Sequence, residues 1–433
     1  MLTKSMKQHK LSLTTYSLYL ILLLFTGIAQ SNNTSNTHEI MVANIRNAIS
    51  TFQEDYKIPG MAVALINKNK IVFSDGFGVS NIETQQAVTP NTSFWLASVS
   101  KTAVGVAIMH AQEQGFLNLD DNVNTLLKNK GDFNLDTPFA KPVLLKHLVT
   151  HTSSIIDNEV SYACAYFVEE SPGHYYNFEN RFNGGNCDET VPVSLEGYLT
   201  ATLSKNGAYY SAQQNFLTAN PGSRYEYSNI GAALAGLTLQ FVTGTSLADY
   251  AKTHIFDPLD MRDTSWLLSD LDPSNIAIPY EWDNVNKKMV PYPIYSLSTW
   301  PDGGLRSSVN DLAKYLMMVS NGGKFEDTRI LQEQSIKTML APTVIANDPT
   351  VITNEEAIGV FWRTITLPSG RILIGHDGSD YGAISDIEFD PALKTGITLI
   401  MNGVAELDNK LLPRFVALRQ LLLNYAELLG NLD

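Results

Sequence analysis

Ser98-Val99-Ser100-Lys101 places a hydroxyl and an amine three residues apart, and it is the only Ser-x-x-Lys in the chain. On a helix the i, i+3 spacing puts both groups on one face. A serine alcohol attacks a carbonyl only when a neighbour takes its proton. A lysine can do so once burial or nearby cations favour its neutral form. A chain of this composition should contain roughly one such tetrapeptide by chance, so the motif alone is weak. Tyr227-Ser228-Asn229 offers a second set of groups: a phenol that can relay protons beside a lysine, and an amide that can hold a substrate carbonyl. The blander reading of this tripeptide is a helix cap beside a buried tyrosine. His376-Asp377-Gly378-Ser379, with Gly382 close behind, is a third. Its glycines would let a substrate backbone approach a strand edge, although a lone histidine near a strand end is more often a capping or surface residue.

The surrounding pattern says which elements carry these groups. Residues 98–113 have helical periodicity, and Pro221-Gly222 marks a loop that delivers Tyr227 to a helix starting near Ile230. The third motif should follow directly after a strand at 371–375. Hairpin-spaced strands are expected at 61–67 and 70–74, and again at 357–365, 371–375, 383–389 and 395–401. A polar, disordered start at 31–38 should lead into a helix at 39–56, and a second helix at 411–429 closes the chain. Strands that follow one another without intervening helices pair antiparallel. The expected architecture is therefore α/β of the α+β type. One antiparallel sheet is built from both ends of the chain (about 39–97 and 320–433), flanked by the terminal helices and interrupted by a mainly helical subdomain at about 98–319.

In this order and at these separations the three fragments resemble the serine β-lactamase and DD-peptidase superfamily, nearest its class C and esterase-like branch. The run FWLASVSKTAVGVAIMHAQEQGFLNLDDNV around Ser98 resembles the family's nucleophile helix. LLKHLVTHTSS at 144–154 is similar to its Leu-Leu-x-His-x-Ser-Gly segment. NPGSRYEYSNIGAALAGLTLQFVTGTSLADYAKTHIFDPLDMRDT carries its Pro-Gly, Tyr-Ser-Asn and Pro-Leu-x-Met elements, and GGLRSSVNDLAKYL its next helix. The resemblance spans nearly all of residues 31–433. It implies Ser98 as nucleophile, Lys101 and Tyr227 as the proton-transfer pair, and Asn229 as orienter of the acyl-side amide. It puts His376 where relatives often have lysine, and Gly378 and Ser379 on the substrate-binding strand. The backbone N–H groups of Ser98 and Ser379 would form the oxyanion hole. Which of Lys101 and Tyr227 first takes the seryl proton stays open, because a coupled pair shares its protons.

Two departures carry expectations of their own. Ser154 stands where the family has glycine, which questions the local turn. Asp377 stands where relatives have a threonine that helps bind a substrate carboxylate, so it should repel an anionic β-lactam and shift the balance toward esterase, amidase or peptidase activity. The long stretch 158–216 carries Tyr162, Tyr166, Phe167, Tyr175, Tyr176, Phe178 and Phe182 with both cysteines. It is read either as an aromatic lid over the cleft or as a small core of its own.

The N-terminus combines Lys4, Lys7 and Lys10 with an apolar run at 18–25 and small residues at Gly27 and Ala29, the pattern of a signal peptide cleaved near Ala29. An uncleaved membrane anchor is the alternative. Cleavage places the protein in the periplasm or outside the cell, where a disulfide between Cys164 and Cys187 is expected. Losing three lysines and no acid takes the net charge from −14 to −17, which excludes nucleic acid as a natural partner. After cleavage no membrane partner is expected, only a small-molecule or peptide substrate. His147 and His151 have zinc-like i, i+4 spacing but lack the intervening Glu of a zinc protease, and no phosphate loop follows a strand. Neither a metal nor another cofactor is expected. The predicted activity is hydrolysis of a carboxylic ester or amide, including a D-Ala-D-Ala peptide, through an acyl-enzyme on Ser98. A β-lactamase and a penicillin-binding sensor acylated without turnover are the competing readings.

Overall fold

Strands from the two ends of the chain share one sheet because their apolar residues alternate with a period of two and need two covers. In the computed structural model, which describes residues 30–128, 133–346, 356–367, 369–405 and 411–432, the strand Gly60–Asn67 is buried along its whole length. Met61, Val63 and Leu65 point into one core cluster with Ile45, Phe52, Leu418 and Leu422 of the terminal helices Gln30–Asp55 and Leu411–Gly430. Ala62, Ala64 and Ile66 point into the other, larger cluster beneath the helices Ser100–Glu113 and Val309–Ser320.

The sheet holds nine strands among the described residues. Its order runs Val344–Ala346, Glu356–Ile358, Arg363–Thr366, Ile372–Asp380, Ala383–Asp390, Thr395–Met401, Gly60–Asn67, Lys70–Asn81 and Gln86–Ala87, each pair antiparallel. The two ends of the chain meet where Met61 lies opposite Met401 and Leu65 opposite Ile397. This is the expected α+β arrangement.

Several boundaries move. The strand expected at 357–365 is two strands, because the chain turns between them with Phe361 in the left-handed region. The hairpin partner expected to end at Ser74 runs on to Asn81, since Gly60–Asn67 offers ladder partners as far as Gly78 and Gln86–Ala87 pairs with it from Val79 to Asn81. Helix Gln30–Asp55 takes in 31–38, the segment expected to be disordered. Once the packed turns around Ile45 and Ile49 have nucleated a helix, extending it through polar residues needs only local hydrogen bonds. The middle of the chain is helical around the site but also carries two small antiparallel sheets, one joining Tyr166–Ser171, His174–Asn177 and Ser296–Leu297, the other Tyr280–Asp283 and Lys288–Pro291. The expected signal peptide at 1–30 lies outside the described residues save Gln30. Among those residues no single helix is long and apolar enough to cross a membrane.

Candidate active site

Ser98 lies in a short 3-10 turn, Ala97–Val99, that runs directly into the helix Ser100–Glu113 rather than inside that helix. A 3-10 turn keeps residues i and i+3 aligned, so the expected juxtaposition survives. Lys101 is fully buried and its Nζ lies 3.0 Å from Ser98 Oγ, 2.7 Å from Asn229 Oδ1 and 2.7 Å from the carbonyl oxygen of Asp302. An ammonium has three N–H donors, and here each has an acceptor. Ala97, immediately before the nucleophile, has φ 47°, a strained conformation for a residue with a Cβ.

Tyr227 is delivered by the loop before the helix Asn229–Thr243. Ser228 caps that helix, its Oγ accepting from Gly231 N at 2.9 Å. Beneath it the carboxylate of Asp157 accepts from Asn229 N and Ile230 N, both at 2.9 Å, and from Ser228 Oγ at 3.2 Å. Burial pushes the Asp157 carboxyl up from its ordinary range, and these donors pull it back. The Tyr227 ring stacks on His151 at 4.3 Å between centroids, and Lys101 Nζ sits 5.0 Å from the Tyr227 ring centre. His151 Nδ1 accepts from Ser228 N at 3.1 Å, which fixes its proton on Nε2. Burial, reinforced by Lys101 and Arg363, holds this imidazole well below its usual pKa, so it is neutral. His147 instead accepts from Leu144 N through Nδ1, and no group of three potential metal ligands occurs among the described residues.

Ser154, at the family's glycine position, has φ 62°, so the left-handed turn is kept with a serine in it. The turn survives the substitution, with backbone strain of about 1 kcal/mol or more in place of glycine's freedom.

His376, Asp377, Gly378 and Ser379 lie within the strand Ile372–Asp380, not after it. On one side this strand pairs with Ala383–Asp390 out to Asp380, and on the other its partner ends with Arg363 opposite Gly375. Residues 376–380 therefore present one open edge, suited to an extended substrate. Gly378 brings that edge against the nucleophile turn: a Cβ there would sit 2.4 Å from Leu96 O and 2.9 Å from Ser98 N. Ser385 Oγ donates to Leu96 O at 2.6 Å and fastens the turn to the sheet. This apposition places Ser98 N beside the strand that carries Ser379.

The His376 ring is buried, with Nδ1 2.6 Å from Asp377 O. Burial first, then Arg363, Lys101 and His151, keeps it well below the usual imidazole pKa, which favours the neutral ring. Asp377 forms an ion pair with Arg363, which offsets the carboxylate expected to repel an anionic substrate. Asp377 is thus half of an ion pair rather than a lone acid on this strand.

Two acids that sequence reading missed complete the surroundings. Asp302, whose backbone holds Lys101, accepts from Tyr162 Oη at 3.1 Å, and burial pushes its carboxyl up to about 7 against the pull of Lys101. Asp380 accepts from Tyr166 Oη at 3.0 Å, Tyr381 N at 2.8 Å and Trp95 Nε1 at 3.3 Å, and burial pushes it up to about 6. Tyr162 and Tyr166 belong to the aromatic insertion, which is thus built into both sides of the site while its Phe178 joins the main core. The expected disulfide between Cys164 and Cys187 is present, with Cα atoms 5.5 Å apart.

Nucleophile turn, buried lysine, tyrosine loop and open strand edge come together on the fold shared by β-lactamases and penicillin-binding proteins. A family model described as Beta-lactamase matches residues 45–421, and the chain belongs to that family. Among solved structures it is similar to the octameric penicillin-binding protein homologue from Pyrococcus abyssi (28% identity, TM-score 0.70, covering 87% of this chain and 77% of that one). It also shares its fold with a class C beta-lactamase (19% identity, TM-score 0.64, covering 92% and 98%). Protein flp of Staphylococcus aureus is 24% identical over 360 residues, covering 83% of this chain and 62% of that protein. Beta-lactamase-like protein 4 of Dictyostelium discoideum is 24% identical over 363 residues, covering 78% and 56%. The chain thus spans less than two thirds of the length of these two relatives.

Proposed function

We propose that this protein is an exported hydrolase that opens a carboxylic ester or amide, a D-Ala-D-Ala peptide among them, through an acyl-enzyme on Ser98. The observation that carries the reading is the triple anchoring of Lys101 Nζ on Ser98 Oγ, Asn229 Oδ1 and Asp302 O. It holds the lysine at hydrogen-bond reach of the nucleophile and leaves the Asn229 amide nitrogen for a substrate carbonyl. Ser98 Oγ forms a bond to the carbonyl carbon as its proton passes into the Lys101–Tyr227 pair. The oxyanion is received by backbone N–H groups of Ser98 and Ser379. Collapse breaks the bond to the leaving group, which takes the proton back from the pair. Water then repeats the sequence to release the acid and restore Ser98. The disulfide supports export, since such bonds persist in oxidising compartments.

The Arg363–Asp377 pair favours one second reading, turnover of an anionic β-lactam, because the acid no longer faces the ligand alone. Offering the protein a short-chain nitrophenyl ester, a D-Ala-D-Ala peptide and a β-lactam separates these readings. Ser98→Ala is expected to abolish turnover with the fold intact, and Tyr227→Phe to lower kcat about 10²- to 10⁴-fold. Turnover near wild type in Ser98→Ala refutes the assignment, and a stable adduct without turnover makes the chain an acylated receptor.

A further inference from the structure

Beyond the reacting atoms, the open strand edge leads into a cleft of about 390 Å³ whose lining begins at Ser379 and Asp380 and continues over Tyr166, Tyr292, Tyr381 and Trp282. The turn at the end of the strand forms one wall. Gly382, with φ 67°, presses so closely on the strand Tyr280–Asp283 that a Cβ would lie 2.5 Å from Tyr280 N. The lining contains no lysine, arginine or histidine, but it does contain two carboxylates, Asp380 and Glu281. Each carboxylate is bonded by neutral donors: Asp380 by Tyr166, Trp95 and the Tyr381 backbone, Glu281 by the Tyr292 hydroxyl. A third, Glu179, accepts from Tyr381 Oη at 2.6 Å at the back of the aromatic wall. None of the three forms an ion pair among the described residues. Lys57, which does not line the cleft, holds its Nζ 5.8 Å from the Trp282 ring centre, so that indole face already receives a cation from elsewhere in the chain.

We propose that this cleft is an acyl-chain subsite for a positively charged ammonium group, bound against the adjoining Tyr292 and Tyr381 rings, whose centres lie 5.6 Å apart, and beside the Glu281 and Asp380 carboxylates. Electron-rich ring faces attract ammonium ions, and the carboxylates supply a charge that no cation of the lining pairs with, Lys101 acting on Asp380 only from the reaction centre. An anionic chain meets only repulsion there, and a neutral one loses the cation contacts. The subsite rests on the acyl-enzyme reading for its direction. With the carbonyl oxygen held by Ser98 and Ser379, a chain following the strand toward Tyr381 travels about 7 Å over two residues. That puts the charge about five bonds from the carbonyl carbon.

The test compares nitrophenyl esters whose acyl chains end in a trimethylammonium, an isosteric tert-butyl or a carboxylate group about five bonds from the carbonyl. In the intact protein kcat/KM is expected to fall in that order, with the cationic ester about tenfold above the neutral one. Glu281→Gln and Tyr292→Leu should each shrink that ratio, and the ratio is the readout. A ratio near one in wild type, or one that survives both substitutions, overturns the proposal. Should no ester be turned over, the hydrolase reading fails, and the subsite is judged by direct titration with choline against its uncharged isostere 3,3-dimethylbutanol. Choline binding at least about tenfold tighter, weakened in Glu281→Gln, sustains it; equal binding sinks it.

Discussion

Lys101 commits all three N–H donors, to Ser98 Oγ, Asn229 Oδ1 and Asp302 O, while the Tyr227 hydroxyl makes no hydrogen bond among the described residues. The proton therefore has one held carrier and one uncommitted one, which suits a relay between nucleophile and leaving group. Asp302 gives this centre a pH dependence. Its folded-state carboxyl, raised to about 7 by burial, keeps its proton over the range where the unfolded chain has already lost it. Stability from this group is thus greatest below an unfolded pKa of about 4, falls as pH rises, and is fully lost above the folded value. Asp302→Asn removes the ionisation and keeps an oxygen for Tyr162. The variant is expected to melt several degrees above wild type at about pH 8, with the advantage gone near pH 4. Melting curves across pH check this; a constant difference contradicts it. That Ser98, Lys101, Tyr227 and Asn229 come close together was legible because each sits in a short run whose spacing survives folding. Asp157 and Asp302 were not, since their roles depend on contacts with residues 72 and 201 positions away, which no local pattern reports.

Elements turn those residues into a site by close approach. The third motif reads in sequence as a loop after a strand, because glycines and an acid are poor strand formers. Its strand character comes from the neighbour Ala383–Asp390, which pairs with it through Asp380. The insertion was legible as aromatic and cysteine-bearing, yet whether it forms a lid or a core is not a question its composition can answer. Tyr162 and Tyr166 reach Asp302 and Asp380, while Phe178 is fully buried in the main core, so the segment does both. The Cys164–Cys187 bond closes a loop with a sequence separation of 23 that contains both Tyr166 and Phe178. Replacing both cysteines by serine should lower stability by about 2–4 kcal/mol in chemical unfolding. It should also raise KM as Tyr162 and Tyr166 lose their hold. An unchanged unfolding midpoint rules out a structural role for the bridge.

At the scale of the whole molecule, the site depends on a sheet whose strands are contributed from both ends of the chain. The closing helix ties directly to it. Arg419 reaches Asp386 at 3.3 Å and also pairs with Glu388, both on the strand that supports His376 and Asp377. Hairpin spacing made one sheet from both ends of the chain readable, whereas the pairing of residues 60–67 with 395–401 is a long-range contact that no local pattern reports. Leu422, fully buried between the terminal helices and the sheet, touches none of the reacting groups. Leu422→Ala should cost about 2–5 kcal/mol of stability and leave kcat nearly unchanged well below the melting temperature. A large loss of kcat in a folded variant would instead tie the terminal cover to catalysis. The central claim is covalent chemistry at Ser98, and its most direct test is intact-protein mass spectrometry seconds after mixing with an activated ester. The account predicts a mass increase equal to the acyl group, located on the peptide containing Ser98, decaying as substrate is consumed and absent from Ser98→Ala. Turnover without that adduct, or an adduct that persists in Ser98→Ala, contradicts it.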